Sequence, residues 1–256
     1  MTISVVLITH NEEANLPATL AGVLPLVRDG RGEIIVLDSG STDRTLDIAR
    51  EHGAAIFVET WKGFAAQKNS AIAKASMDWV LQLDADEVLE PGLADEIQRS
   101  LMDNPTPAGF WIPRKNFFLG RWIKHGGFYP DPKLRLFRRG AGSFEEYGAH
   151  PTIKVNGRTG KLSHALLHRA YPTLSGYVDH MNSYSSMGAK VLVERRYRSF
   201  SGLDIVARPM LTFLYNYVFR LGFLDGREGL LLHLYHSVYV SWKYAKAWEF
   251  TKNRQP

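Results

Sequence analysis

The sequence predicts an α/β fold, a sheet of parallel strands with helices on both faces, followed by a helical C-terminal appendage. Three observations predict it. Across residues 1–104, strand-length apolar runs alternate with helical stripes, the order that winds a parallel sheet. The strand runs are apolar almost throughout, as strands covered on both faces require. Polar clusters follow the first, second and fourth runs, at the strand ends where such sheets bind ligands.

Taken in order, Ile3–Thr9 is an apolar, β-branched strand. Asn11-Glu12-Glu13 reads as a helix start with acids in its first turn, and Leu16, Leu20 and Val23–Leu24 carry its apolar stripe. Glu33–Leu37 is a second strand, and Ser41-Thr42-Asp43 is expected to cap a helix running through Arg50. Ala55–Val58 is a third strand, Phe64–Ala75 an alanine-rich helix, and Trp79–Leu83 a fourth strand ending on Asp84-Ala85-Asp86-Glu87. Pro91 opens another helix, at a position where proline is tolerated. Beyond it, Gly109–Pro113 and Leu134–Arg138 read as strands around a loop, Asn116–Tyr129, rich in aromatics and glycine. Pro172–Arg198 reads as one long helix, and Leu203–Trp248 as two aromatic-rich helices broken near Gly222–Gly226.

The 256 residues are 45% hydrophobic and 22% charged, which supports a substantial core and excludes wholesale disorder. The chain has no cysteine, which excludes a disulfide scaffold, a thiol nucleophile and a thiolate metal site, and fits a reducing compartment. The opening MTISVVLITHNEE lacks a basic segment before its apolar run, so no leader is expected, and no apolar run is long enough to span a membrane. A cytoplasmic protein is expected. The net charge is +5, with Arg and Lys crowded in Arg114–Arg139 and Lys190–Arg208. Such basic surface meets phosphate-bearing ligands or anionic lipid, or is simply solvated. No nucleic-acid recognition module is present, so no nucleic-acid partner is expected.

Asp84-Ala85-Asp86 is the sharpest local signal. Two carboxylates at i and i+2 beyond a buried strand can approach one hard cation, Mg²⁺ or Mn²⁺, which shares its oxygen ligands with a diphosphate. On a solvated turn the same pattern is structural. Asp38 ends the second strand, where a carboxylate either accepts hydrogen bonds from a nucleobase or ribose or caps a turn. Asp43 reads as a brace for the helix start. Thr9, Asn11 and Glu12 follow the first strand in ITHNEEAN, where a dinucleotide fold would place its glycine fingerprint; that fingerprint and a Walker A loop are both absent. Lys68 either neutralises phosphate or is a surface lysine on its helix.

The segments ITHNEEANL, VLDSGSTDRT, WKGFAAQKNSA and WVLQLDADE, in this order and spacing, resemble family 2 glycosyltransferases of the GT-A fold, with its Rossmann-like nucleotide-binding sheet. GGFYPDPKLRLFRRG, LLHRAYPTLSGYVDHMNSYSSMGAK and RPMLTFLYNYVFRLGFLDGREGLLL extend the likeness to the lipopolysaccharide inner-core β-glucosyltransferase branch. The resemblance implies a catalytic domain over 1–170, with a nucleotide-sugar half at 1–104 and an acceptor half at 105–170, and a helical region over 171–256. It implies nucleoside contacts from Thr9, Asn11, Glu12 and Asp38, phosphate contact from Lys68, and metal and ribose contacts from Asp84 and Asp86. His168 is implied as the late histidine that completes metal binding. An inverting displacement needs one base for the acceptor hydroxyl. Asp131 is the candidate, because related members place an acid just before a similar RLF strand. Related sequences carry a His-Glu pair where His150 is followed by Pro151 here, which leaves Glu146 as the alternate base.

The implied reaction moves a hexose, glucose foremost, from a UDP-sugar to a lipid-linked saccharide such as the lipopolysaccharide inner core, with Mg²⁺ or Mn²⁺. Another cell-envelope glycan or a polyprenyl phosphate is the alternative acceptor. A nucleotidyltransferase would need an early glycine-rich basic loop, and a non-catalytic scaffold would not need the Asp84/Asp86 pair. The loop Gly126–Tyr129, with Trp111 and Trp122, suits a sugar platform or plain core packing. Leu211–Phe223 and Leu230–Trp248 have the composition of helices lying in a membrane interface, or of a pair packed on protein. Basic residues beside them would each contribute about 1 kcal/mol at an anionic surface. The expected location is the inner face of the cytoplasmic membrane, held peripherally.

Overall fold

A computed structural model describes residues 1–102, 106–145, 152–195 and 200–252. These form two compact units: residues 1–102, 106–114, 132–145 and 152–168 in the first, and 115–131, 169–195 and 200–252 in the second. The division expected at residue 170 therefore shifts, since residues 115–131 group with the helical region.

The first unit opens with β1 (Ile3–Thr9), α1 (Leu16–Val27), β2 (Gly32–Asp38), α2 (Thr45–Glu51), β3 (Ala55–Val58), α3 (Phe64–Ile72) and β4 (Trp79–Asp84). A short β5 (Glu87–Leu89) and α4 (Leu93–Leu101) follow, then β6 (Gly109–Ile112). After β7 (Arg114–Phe118) and β8 (Arg121–Trp122) come β9 (Lys133–Arg138), β10 (Gly142–Glu145), β11 (Thr152–Val155), β12 (Thr159–Lys161) and β13 (Leu166–Tyr171). The main sheet runs β12-β6-β9-β4-β1-β2-β3. Strands β4, β1, β2 and β3 are parallel, and β9 runs antiparallel to β4 and β6.

Period-2 alternation on β1 shows why both faces are covered. Val5 and Leu7 face a cluster with Leu16, Leu20 and Val23 of α1 and Ile97 of α4. Val6 faces the other way, with Ile35, Leu37 and Ala71 of α3. Each such fully buried side chain contributes about 1.5–3 kcal/mol relative to exposure. Helix α1 begins at Leu16, later than expected. Asn11 adopts φ 55°, and residues 10–15 form turns instead of a helical start.

In the second unit β7 and β8 form a hairpin where the sequence suggested a loop. Its tip places Leu119 at φ 50° and Gly120 at φ 82°, the pair of left-handed conformations that matches strand twist in a tight hairpin. Helix α5 (Leu174–Arg195) packs on α7 (Gly226–Lys252) through Ala189, Val193, Val240, Tyr244 and Ala247. Between them lie α6 (Gly202–Phe213), a π-helical segment Leu214–Phe219 and a 3-10 turn Gly222–Asp225. Ser201 and Asp204 close a capping box at the start of α6, which satisfies two orphan backbone N–H groups. Pro209 cannot donate to the carbonyl of Ile205 one turn earlier; Ser241 Oγ of α7 donates to it instead, at 3.0 Å. Among the described residues no helix is long and apolar enough to cross a membrane.

Candidate active site

The site is built at the carboxyl ends of β1, β2 and β4 in the first unit. Parallel register brings Thr9 opposite Asp38, and Ile8 opposite Asp84. The loops after β1 and β2 are laced together. The Asn11 backbone donates to Ser41 Oγ (2.8 Å), and Thr42 N returns a bond to Asn11 Oδ1 (2.8 Å). The Glu12 backbone donates to Thr45 Oγ1, and Asp43 receives the N–H groups of Glu13 and Thr45. Asp43 thus braces the helix start, as its position suggested.

Asp38 serves the same lacing. Its carboxylate is fully buried and accepts from Thr9 Oγ1 (2.8 Å), Gly40 N (2.8 Å), Ser41 N (2.7 Å) and Ser41 Oγ (2.5 Å). Burial alone would raise its pKa, but the bonds from Ser41, Thr9 and Gly40 bring it below the usual value. Asp38 therefore acts on the loop. The group beside it with a bond still to make is Ser39, whose buried hydroxyl has no partner.

Asp84 sits where α3 and β9 deliver two cations. Lys68 Nζ donates to Asp84 Oδ1, and Arg135 Nη2 reaches Asp84 Oδ2 at 2.5 Å. Lys68 is 7% exposed, which overturns the reading of it as a surface lysine. Burial would raise the Asp84 carboxyl; Arg135 and then Lys68 overcome this and hold it well below the ordinary range. Burial conversely lowers the Lys68 ammonium, against the pull of Asp84. The wholly buried Glu87 completes the cluster, accepting Arg135 Nη2 (2.7 Å), Arg114 Nη1 (3.0 Å) and the Asp84 backbone N–H (3.1 Å). Gln82, buried inside β4, accepts Arg135 Nη1. Within this cluster three cations surround two carboxylates, and such desolvated cations suit phosphate oxygens.

The turn after β4 is fixed by Thr19 of α1, whose hydroxyl donates to Ala85 O at 2.6 Å. That directs Asp86 to His168 of β13, with Oδ2 and Nε2 3.2 Å apart. Burial raises the Asp86 carboxyl, but His168 more than offsets this and the net shift is downward. Glu12 lies within electrostatic reach: burial raises its pKa, Asn15 opposes, and the charges of Asp86, Asp43 and Asp84 add to the rise. Of the residues expected at a metal, Asp84 has both oxygens on cations, while Asp86 stands beside His168. Among the described residues no three His, Asp or Glu side chains are placed to hold one ion. A carboxylate oxygen and an imidazole nitrogen still fit Mg²⁺ or Mn²⁺. Such ions are held by few protein ligands and filled out by water and substrate phosphate.

Among the described residues of this unit, three buried side-chain polar atoms make no hydrogen bond: Ser39 Oγ, Gln67 Nε2 and Arg135 Nε. Orphans of this kind call for a reason, and all three belong to elements that build the strand-end site.

In the second unit Asp131 is held by Asn116, whose amide donates to Asp131 Oδ2 (3.2 Å) and Phe128 O (3.1 Å). Trp122 carries Lys115 and Lys124 at 4.7 and 4.6 Å from its ring, so it seats cations. In the first unit Trp111 Nε1 donates to Thr159 Oγ1 and ties down edge strand β12. The alternate base Glu146, with His150 and Pro151, lies outside the described residues. Arg135, Gln82 and Thr19 were missed in the sequence, and Glu87 and Ser39 fell within its polar clusters without a role. A glutamine inside an otherwise apolar strand was the one signal for them.

Residues 4–157 match the family described as glycosyl transferase family 2. An uncharacterized glycosyltransferase of Rickettsia typhi is 30% identical over 240 residues, covering 90% of this chain and 80% of its own. The lipopolysaccharide core biosynthesis glycosyltransferase LpsC of Rhizobium meliloti is 27% identical over 97% of this chain and 93% of its own. Among solved structures, the mannosyltransferase PcManGT of Pyrobaculum calidifontis, with GDP-Man and Mn²⁺, aligns over 99% of this chain and 88% of its own at TM-score 0.55 and 15% identity. Glucosyl-3-phosphoglycerate synthase of Mycobacterium tuberculosis, with Mn²⁺, UDP and phosphoglyceric acid, covers 75% of this chain and 77% of its own at TM-score 0.50 and 21% identity. The chain belongs to glycosyl transferase family 2, built on the GT-A fold.

Proposed function

We propose that this glycosyltransferase moves a hexose, glucose foremost, from a UDP-sugar to a lipid-linked saccharide such as the lipopolysaccharide inner core. The transfer inverts the anomeric centre and takes place at the inner face of the cytoplasmic membrane. The observation that carries the reading is the cluster at the end of β4, where Lys68 and Arg135 grip Asp84 while Asp86 stands beside His168. The likeness to LpsC supports the acceptor class, and UDP and Mn²⁺ in the mycobacterial synthase support the donor and the ion.

Asp86 and His168 would hold Mg²⁺ or Mn²⁺, which when bound supplies charge neutralisation to a departing nucleoside diphosphate. Lys68 and Arg135 add fixed positive charge, already desolvated, for the diphosphate oxygens. The loops laced by Thr9, Asn11, Glu12 and Asp38 form the nucleoside seat, with the Ser39 hydroxyl as its free hydrogen-bonding group. Asp84 orders the two cations and serves the ribose side. Asp131, oriented by Asn116, accepts the acceptor hydroxyl proton. One base and direct displacement make an inverting reaction.

Turnover with UDP-, GDP- and TDP-sugars, with a lipid-linked core saccharide and with Mn²⁺ or chelator, tests the proposal. UDP-glucose consumption that needs both acceptor and metal is the expected result. Asp86→Ala should lower it by about two orders of magnitude or more. Preference for another nucleotide, or undiminished turnover in chelator, would refute the donor and metal assignments.

A further inference from the structure

Helix α6 is built inside out. Its buried residues are Asp204 and Pro209, while Leu203 (76% exposed), Val206 (58%) and Met210 (61%) face outward. The stripe continues through the π segment: Leu214 and Val218 keep the three- or four-residue spacing, and Phe219 beside them is 76% exposed. An exposed apolar surface of this length on one element marks an interaction site.

The charges around it identify the occupant. The carboxylates are withdrawn: Asp204 is 7% exposed and bonded to Arg208 Nε (2.7 Å). Asp225 is 2% exposed and receives the backbone N–H groups of Lys124 and His125. Glu228 is half-buried, 3.7 Å from Arg121. Arg220 and Arg227 stay exposed. An apolar stripe edged by outward cations, with the described carboxylates beside it drawn inward or paired, complements an anionic lipid surface.

The same surface carries the loop of the candidate base. Asp225 pins Lys124 and His125, and Gly126 N donates to Arg220 O at 2.9 Å. A side chain at Gly126 would run into His233, and one at Gly127 into Arg220, so both glycines are needed for the loop to seat there. Asn116 then joins Phe128 to Asp131. We propose that the outer face of residues 203–224 inserts into the headgroup region of an anionic bilayer and holds the Asp131 loop at the depth of a lipid-linked acceptor. This deepens the reading of a membrane-borne acceptor and rests on it.

Sedimentation with vesicles of phosphatidylcholine, with and without phosphatidylglycerol, tests it on the full chain. Wild type should co-sediment with the anionic vesicles and far less with the neutral ones. Met210→Glu with Phe219→Glu should weaken this by more than about tenfold, and Arg227→Gln by about fivefold. Both variants should keep wild-type circular dichroism and UDP binding without lipid. No vesicle binding by wild type, or equal binding by the double variant, overturns the proposal. So does a self-association of the chain that the double variant abolishes, which would make the face a protein interface. UDP binding reads the donor site separately: its absence in a vesicle-binding wild type would count against the UDP-sugar donor reading and leave the lipid face standing.

Discussion

The two units depart from the rule of apolar inside and charged outside, in opposite directions. The first draws charge inward: Lys68, Arg135 and Glu87 are each 7% exposed or less, in an otherwise apolar sheet. The second sends apolar residues outward: α6 buries Asp204 and exposes Leu203, Val206 and Met210. Either departure costs free energy on its own. Buried charge at strand ends suits the charged donor proposed for it, and exposed apolar surface edged by arginine suits the proposed lipid surface.

The comparison is sharpened first by activity. Asp131→Asn should lower sugar transfer by about two to four orders of magnitude while UDP binding is kept, as read from product formation alongside a binding titration. Equal loss of both would move Asp131 out of the base role. Next comes stability. Arg135→Leu leaves Glu87 and Asp84 short of a cation and should destabilise the fold by about 3–5 kcal/mol in urea unfolding. Phe219→Ser, on the outward stripe of the second unit, should stay within about 0.5 kcal/mol in the absence of lipid. If the two variants cost the same, the contrast between the units fails.

A third effect is pH-dependent. The folded pKa values of Asp84 and Asp86 are depressed. The stability they contribute is therefore complete above the ordinary aspartate value of about 3.9 and is lost as pH falls through the lower folded-state values. Wild-type stability should fall on that acid limb, and Asp84→Asn should flatten it. An unchanged slope in the variant would deny the cation clamp.

The sheet was legible because strands buried on both faces read as continuous apolar runs, and β1 and β3 fall at the residues expected. The site was legible in part for the same reason, since ligands gather at the ends of such strands. What escaped was tertiary. Nothing local to Arg135 distinguishes it from the neighbouring basic residues, and only the pairing of β9 with β4 brings it to Asp84. Asp38 was visible as a strand-end acid, but its saturation by Thr9, Gly40 and Ser41 depends on how two loops meet. The β7–β8 hairpin was hidden by aromatics and glycine that resemble a loop.

The most direct test of the central claim is calorimetric titration of UDP into the protein with Mn²⁺ and with chelator, for wild type and Asp86→Ala. The account predicts binding by wild type that requires Mn²⁺ and is lost in the variant while its melting temperature is kept. Equal UDP affinity with and without the ion, or in the variant, would contradict a metal-held nucleotide donor at the end of β4.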